Sequence, residues 1–198
     1  MWEERYKGDD YLFGTAPARF LIERADRFAP GASLLSVAEG EGRNAVWLAE
    51  RGLSVTGLEF APSAVAKAQR LAAERGVSPT FVQTDVFAWD WHEGAFDMVL
   101  GVFIQFVAAR ERTALFARMA RAVRPGGTIA LHGYTPKQLE YRTGGPGQLE
   151  NLYTPELLRG AFPGFTVQLC ESYEAELSEG KAHAGVSALI DFFAQKPL

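Results

Sequence analysis

The chain has 198 residues, of which 47% are hydrophobic and 22% are charged, and its formal net charge at pH 7 is −4. This length suits a single compact domain, and the acidic balance argues against a nucleic-acid partner, because phosphate binding relies on clustered lysine and arginine. The single cysteine, Cys170, excludes an intramolecular disulfide, and no signal peptide or membrane-length apolar run is recognisable, so we expect a cytoplasmic protein without a membrane partner.

Helix-like and strand-like hydrophobic periods alternate along the chain, as they do in a parallel sheet with helical crossovers. An aromatic N-terminal segment leads into a first helix that begins near Pro17. The next predicted strands are Ser33–Ala38, Ser54–Leu58, Thr80–Gln83, Phe96–Gly101 and Thr128–His132. The predicted helices are Asn44–Arg51, Pro62–Arg75, Ala108–Val123 and a short one near Pro155–Arg159.

The last two predicted strands, Thr166–Glu176 and Val186–Gln195, are joined by the polar stretch Ser178–Lys181. Parallel strands need a crossover of a dozen or more residues. Because this connection is too short for one, the two strands must form an antiparallel hairpin. The sequence therefore predicts a doubly wound, Rossmann-like α/β sheet of five parallel strands closed by a C-terminal antiparallel hairpin.

The end of the first strand carries the sharpest local pattern. The strand runs into a turn that contains Gly40 and Gly42, and a helix begins at once. Glycines let a ligand approach the backbone, and the start of a helix offers free N–H groups. At the end of the second strand, Glu59 can accept hydrogen bonds from both hydroxyls of a ribose, and Phe60 can pack on an adenine ring.

The end of the third strand adds a third polar position. Asp85 can accept a hydrogen bond from an adenine amino group, and Val86 can offer its backbone N–H to the ring. Open α/β sheets bind ligands at the carboxyl ends of their strands. Three successive strand ends therefore predict a site for an adenosine-containing cofactor.

One alternative interpretation is an NAD(P)-dependent oxidoreductase. The run Gly40–Ala45 also fits the dinucleotide pattern Gly-x-Gly-x-x-Gly/Ala. Three features oppose that interpretation: a segment of roughly 30 residues precedes the first strand, the chain is short for two mononucleotide halves and a substrate domain, and dinucleotide topology has no use for a terminal hairpin.

The run Leu34–Asn44 resembles motif I of the class I methyltransferases that depend on S-adenosylmethionine (SAM), and Gly42-Arg43-Asn44 is similar to the tellurite-resistance TehB-like branch. The likeness extends through Trp2–Leu21, Val55–Glu59, Arg124–Gly127 and Glu176–Lys196. Three residues depart from the family pattern. Ser36 replaces an acid, Ala38 replaces the first glycine, and Glu39 replaces a small residue, so that its charge would lie near the ammonium or ribose of the cofactor.

The resemblance implies SAM as cofactor and S-adenosylhomocysteine (SAH) as product. It implies a single methyltransferase domain over 1–198, with an N-terminal lid segment and helix (1–30), a cofactor-binding core (33–135) and a substrate-side loop with the closing hairpin (136–198). The cofactor-binding residues that it implies are Glu39, Gly40, Gly42 and Arg43 around the methionine, Glu59 and Phe60, Asp85 and Val86, Gly101 and Val102 under the sulfonium, and Tyr11 in the lid.

The methyl acceptor should lie above the ends of the fourth and fifth strands. Methyl transfer from a sulfonium is an in-line displacement, so the protein mainly aligns the acceptor and excludes water. His132 ends the fifth strand, and the hairpin brings Glu179, Lys181 and His183 to the same edge. We expect His183 and His132 to be the catalytic residues, with a small thiol-like or chalcogen acceptor, no metal, and a monomer or weak homodimer. A catalytically silent SAM-binding module is the remaining alternative.

The N-terminal segment is too aromatic to be a disordered tail. Its aromatic residues are Trp2, Tyr6, Tyr11 and Phe13. The family resemblance implies a lid that closes over cofactor and substrate. The alternative is a segment that is docked permanently on the core and contributes only to stability.

Overall fold

The computed structural model describes residues 2–180 and 183–198. The chain divides into two compact units, and each is described by itself below. Of the described residues, unit 1 contains 2–89 with Glu179 and Gly180, and unit 2 contains 90–178 and 183–198. Lys181, which the sequence places near the acceptor, lies outside the described residues. Within the described part of the chain, no helix combines the length and apolar composition that crossing a membrane requires.

Unit 1 alternates helices with parallel strands, as the hydrophobic periods predict. Its elements are α1 (Trp2–Tyr6), α2 (Arg19–Glu23), β1 (Ser33–Val37), α3 (Arg43–Glu50), β2 (Ser54–Glu59), α4 (Pro62–Arg75) and β3 (Thr80–Gln83), with a 3₁₀ turn at Ala25–Arg27. Strand β2 pairs in parallel with both β1 and β3. The predicted bounds of α4 and β3 are confirmed. Those of β1 and β2 differ by one residue at the C-terminal end, and those of α3 differ by one residue at each end.

The longest helix of unit 1 has clear start and stop residues. Pro62 stands at the first turn of α4, where its missing N–H costs nothing. Gly76 follows the helix with φ +68°, the left-handed conformation that ends many helices. Leu71 and several alanines on one face of α4 are buried, so the amphipathic face and the two terminal residues together explain why this prediction succeeds.

Unit 2 contains four strands and three helices. Its elements are β4 (Phe96–Val102), α5 (Ala109–Ala122), β5 (Val123–Tyr134), α6 (Gln138–Tyr141), α7 (Pro155–Ala161), β6 (Thr166–Glu179) and β7 (His183–Gln195), with a 3₁₀ turn at Leu149–Asn151. Strand β5 pairs in parallel with β4 and antiparallel with β7. The strand order of the seven-stranded sheet is β3-β2-β1-β4-β5-β7-β6, which confirms the predicted parallel sheet and closing hairpin.

All four strands of unit 2 are longer than predicted, β4 by one residue at its C-terminal end. The hairpin strands are longer, because Ser178 and Glu179 continue β6 and the described part of β7 begins at His183. Strand β5 begins at Val123, so the predicted turn Arg124–Gly127 forms an irregular start of the strand, where the register with β4 shifts. A side chain at Gly127 would approach the Asp97 carbonyl oxygen to 2.7 Å, so the close approach of the two strands requires glycine there.

Candidate functional site

The turn after β1 has three residues in the left-handed region. Ala38, Gly40 and Gly42 have φ angles of +50°, +70° and +88°. Ala38 therefore has the left-handed backbone that glycine adopts readily and that is strained for a residue with a Cβ atom. The turn that the resemblance predicts is formed in spite of this departure.

Gly42 has a packing role that the sequence does not reveal. It precedes α3, and a Cβ atom at this position would lie 2.6 Å from the Cβ of Ala68 in α4. The missing side chain at residue 42 therefore lets α3 begin against α4. Its predicted contact with the cofactor stays a prediction, since close helix packing already explains this glycine.

Glu39 points into the interior, and the Ser36 hydroxyl donates a hydrogen bond to its carboxylate. The other carboxylate oxygen accepts from the N–H of Ala45 at 2.7 Å, near the start of α3. Burial raises the pKa of Glu39 to about 7, although these hydrogen bonds and Arg43 partly oppose the shift. Position 36, where the family pattern has an acid, is therefore occupied by a serine that holds the carboxylate of Glu39.

Glu59 ends β2 and is 6% exposed. Its Oε2 accepts from the N–H of Gly40 at 2.8 Å, and its Oε1 accepts from the N–H of Ala61 at 2.9 Å. Burial raises the pKa of this carboxyl group, and the backbone donors oppose that shift. Because each carboxylate oxygen can accept a second hydrogen bond, Glu59 has the acceptor capacity to hold the two ribose hydroxyls of SAM.

The residues that follow β2 and β3 include an exposed aromatic ring and an exposed carboxylate. Phe60 is 65% exposed and can offer a ring face. Asp85 is exposed, and its Oδ1 accepts from the N–H of Phe87 at 2.8 Å, which fixes the turn. Val86 is buried. These positions fit an adenosyl group, and the individual contacts stay predictions.

Arg43 and Glu179 are engaged with each other. The guanidinium Nη2 lies 2.7 Å from Glu179 Oε2, and both side chains are almost fully buried. Glu179 Oε1 accepts from the N–H of Arg19 at 2.9 Å. In this structure the two charged groups pair within unit 1. The predicted roles of Arg43 at the methionine and of Glu179 at the acceptor stay predictions.

A second buried ion pair holds the N-terminal segment. Lys67 Nζ lies 2.7 Å from Glu41 Oε1 and donates to the carbonyl of Asp10 at 2.7 Å. Glu41 Oε2 accepts from the N–H of Leu12 at 2.8 Å. Tyr11 packs against α3 and α4, and its hydroxyl donates to the carbonyl of Lys67 at 3.1 Å. The segment is docked in this structure, and its opening as a lid stays a prediction.

In unit 2, a buried histidine and a buried aspartate face each other across β5 and β7. His132 Nδ1 lies 2.8 Å from Asp191 Oδ1, and the two residues are 1% and 0% exposed. Tyr173 donates its hydroxyl to the same Asp191 oxygen at 3.0 Å. Because a carboxylate only accepts, Nδ1 of neutral His132 carries the proton and Nε2 is the basic nitrogen.

Phe103 joins the two predicted histidines in one aromatic cluster. It follows β4 with a φ of +55°, a conformation that is uncommon for a bulky residue and that often marks functional sites. Its ring centroid lies 4.7 Å from that of His132, 4.7 Å from that of Tyr134 and 4.2 Å from that of His183. His183 is buried. The backbone of Gly101 and Val102 leads directly into this cluster.

Sequence reasoning missed Asp191 and Tyr173. Asp191 is the one acid in the otherwise apolar run Ala188–Ala194. An acid within a buried strand usually has a polar partner, and this pattern could have indicated its role. Its partner is set by the register of β5 and β7, which pairs His132 with Asp191. Unit 2 also contains a cleft of about 420 Å³ that is lined in part by Thr135, Tyr153 and Tyr173.

Comparison with known proteins agrees with this arrangement. Residues 34–127 match the family model described as a methyltransferase domain. Demethylmenaquinone methyltransferase of Thermus thermophilus is 33% identical over 105 residues, 52% of this chain and 47% of that protein. The chain spans less than half the length of the curated relatives that it matches first.

Solved structures share the fold. A SAM-dependent methyltransferase from Methanosarcina mazei has a TM-score of 0.74 at 18% identity, covering 89% of this chain and 97% of that one. TehB from Haemophilus influenzae has a TM-score of 0.72 at 13% identity, covering 98% of this chain and 65% of that one.

The strand order, the turn after β1 and the family match define a fold of the class I SAM-dependent methyltransferases. The match over residues 34–127 favours SAM as the cofactor over a nicotinamide cofactor. The resemblance to this class, which includes TehB, is confirmed.

Proposed function

We propose that the chain catalyses methyl transfer from SAM to a small thiol-like acceptor that binds beside His132. The observation that carries the proposal is the buried pair of His132 and Asp191, held at 2.8 Å. A histidine whose Nδ1 proton is held by a carboxylate has its other nitrogen available as a proton acceptor. This chemistry suits an acceptor that must lose a proton before it is methylated.

The surroundings of the pair favour a soft anion. The rings of Phe103, Tyr134 and His183 pack around one another beside His132. A thiolate and a sulfonium lose their opposite charges in the transition state, so a dry, aromatic environment accelerates their reaction. A harder anion such as an alkoxide would lose more hydration energy on entering such a site.

Each residue has a defined part in the proposed mechanism. When bound, SAM would supply an electrophilic methyl group, to which the acceptor sulfur bonds in line as the bond from that methyl carbon to SAH breaks. Asp191 keeps the proton on Nδ1 of His132, so Nε2 accepts the proton of the acceptor. Asp191 then stabilises the imidazolium, since the two charges lie within hydrogen-bonding distance. The aromatic rings exclude water and orient the acceptor.

The test is SAH formation with a matched series of acceptors. Thiophenol, phenol and aniline differ only in the nucleophilic atom, and hydrosulfide tests a smaller thiol. We expect turnover with the thiols and little with phenol or aniline. The substitution His132→Ala should lower kcat with thiophenol by about 10²-fold or more below the thiol pKa, and the loss should shrink above it. The affinity for SAH should stay within about twofold.

His92→Ala is the matched control, because His92 is an exposed histidine that precedes β4. His183→Ala tests the other predicted catalytic histidine. If His183→Ala shows the pH-dependent loss and His132→Ala does not, the base is His183 and the proposed role of His132 is wrong. If SAH binds but no acceptor in the series is methylated, the thiol proposal is wrong, and the silent SAM-binding module becomes the better interpretation.

A further inference from the structure

The N-terminal helix brings a tyrosine hydroxyl to the turn after β1. Tyr6, at the end of α1, is 5% exposed and packs with Ala61 and Ala64. Its ring stacks on Trp2, with centroids 5.7 Å apart. Its hydroxyl oxygen lies 3.2 Å from the point at which a Cβ atom of Gly40 would stand. The phenol therefore lies directly against the backbone of the cofactor-binding turn.

This hydroxyl makes no hydrogen bond within residues 2–180 and 183–198. Although Tyr6 is 5% exposed, its hydroxyl oxygen is not fully enclosed by the protein, so a ligand at the turn can reach it. The phenol is also a firm donor: burial and the charges of Glu59 and Glu41 raise the pKa of Tyr6 well above its usual range. An accessible donor without a protein acceptor, directly against the turn predicted to bind the cofactor, points to an acceptor on the cofactor.

We propose that Tyr6 is a cofactor-binding residue whose hydroxyl donates a hydrogen bond to a ribose hydroxyl of SAM. The neighbouring groups favour the ribose over the carboxylate of the methionine. Glu59 and Glu41 act electrostatically on Tyr6, so an anionic group beside the phenol would be repelled. A ribose hydroxyl is both donor and acceptor, and it can donate to Glu59 while it accepts from Tyr6.

In this proposal the docked N-terminal segment has a direct function in cofactor binding. Glu41 and Lys67 hold the backbone at Asp10 and Leu12, and α1 precedes this anchored stretch. The buried ion pair thus fixes the position of the phenol. Tyr6 contacts the cofactor in the proposal, and the ion pair acts through the segment that carries Tyr6.

The experiment measures SAH binding to the full chain by isothermal titration calorimetry. Tyr6→Phe removes only the hydroxyl and keeps the stacked ring. We expect the dissociation constant for SAH to rise about 3- to 10-fold, the loss of one neutral hydrogen bond. SAH analogues with a 2′-deoxy or a 3′-deoxy ribose identify the partner. With the analogue that lacks the contacted hydroxyl, wild type and Tyr6→Phe should bind equally.

Two variants calibrate this measurement. Tyr153→Phe is the control, because it removes a phenol hydroxyl of unit 2 that has no hydrogen-bond partner in the described part of the chain. It should leave SAH binding unchanged. Glu59→Gln should weaken binding more strongly than Tyr6→Phe. Unchanged or tighter SAH binding by a folded Tyr6→Phe protein would overturn the proposal, and so would an equal loss with SAH and both deoxy analogues. None of these outcomes depends on the methyl acceptor.

Discussion

The end of β1 in unit 1 and the end of β5 in unit 2 both bury polar side chains, but with different partners. In unit 1, buried carboxylates pair with Lys67 and Arg43 or accept from backbone N–H groups. In unit 2, His132 and Asp191 pair with each other beside aromatic rings. Backbone donors and ion pairs hold one fixed geometry, which suits an invariant cofactor. Aromatic side chains can be substituted with little effect on the backbone. Such a site can therefore accommodate substrates that differ between relatives.

The buried ion pair of Lys67 and Glu41 in unit 1 should show the largest effect on stability. Lys67→Met keeps the aliphatic stem but leaves Glu41 as a buried charge without its cation. We expect a loss of about 3–5 kcal/mol in the free energy of unfolding, measured by urea denaturation. Arg75→Met is the control, because Arg75 and Glu50 form a more exposed pair at 3.5 Å, and its cost should stay below about 1 kcal/mol.

Asp191→Asn extends this test to unit 2. Asparagine keeps an oxygen that can accept from Nδ1–H of His132, so no isolated charge remains, and we expect a loss of about 1 kcal/mol. A cost for Lys67→Met no greater than that for Asp191→Asn would show that the ion pair is not what anchors the N-terminal segment.

A smaller effect concerns pH. Folding raises the pKa of Glu39 from an ordinary 4.5 to about 7. Between these values the unfolded chain releases the proton and the folded chain keeps it, so the contribution of Glu39 to stability is fully present below pH 4.5 and is lost as the pH rises through 7. The loss is about 3 kcal/mol at 1.36 kcal/mol per unit. Glu39→Gln should remove this part of the pH dependence.

The measurement compares urea denaturation of wild type and Glu39→Gln at pH 5 and pH 8. Glu59 also has a raised pKa, but it is present in both proteins, so their difference reports Glu39. Glu50→Gln, a change on the surface, should follow the wild type. Parallel pH profiles for wild type and Glu39→Gln would contradict the proposed ionisation.

The smallest effect on stability concerns the backbone strain in the turn after β1. Ala38 has a left-handed backbone, so Ala38→Gly should relieve strain and stabilise the protein by about 0.5–1 kcal/mol in thermal or urea unfolding. Ala73→Gly, on the exposed face of α4, should cost up to about 1 kcal/mol instead. If both changes destabilise the protein equally, Ala38 is not strained.

Local patterns predicted most of the fold. Start and stop residues fixed the bounds of α4, and the short connection after β6 required a hairpin, because a parallel crossover does not fit in so few residues. The turn with Gly40 and the acid at Glu59 were found because ligand sites of open α/β sheets lie at strand ends. Each of these inferences needs only residues that are close together in the sequence.

The class of fold could be predicted from the sequence alone, and the cofactor and the strand ends that would bind it are predictions from the same residues. Only the tertiary structure decided which charges pair. Arg43 meets Glu179 and His132 meets Asp191 across long separations in the sequence, and strand register and chain packing set those contacts. The same holds for Tyr6, whose hydroxyl lies against Gly40 because α1 packs on α4. Periodicity tells which residues are buried, but a buried polar group finds its partner only when distant segments come together.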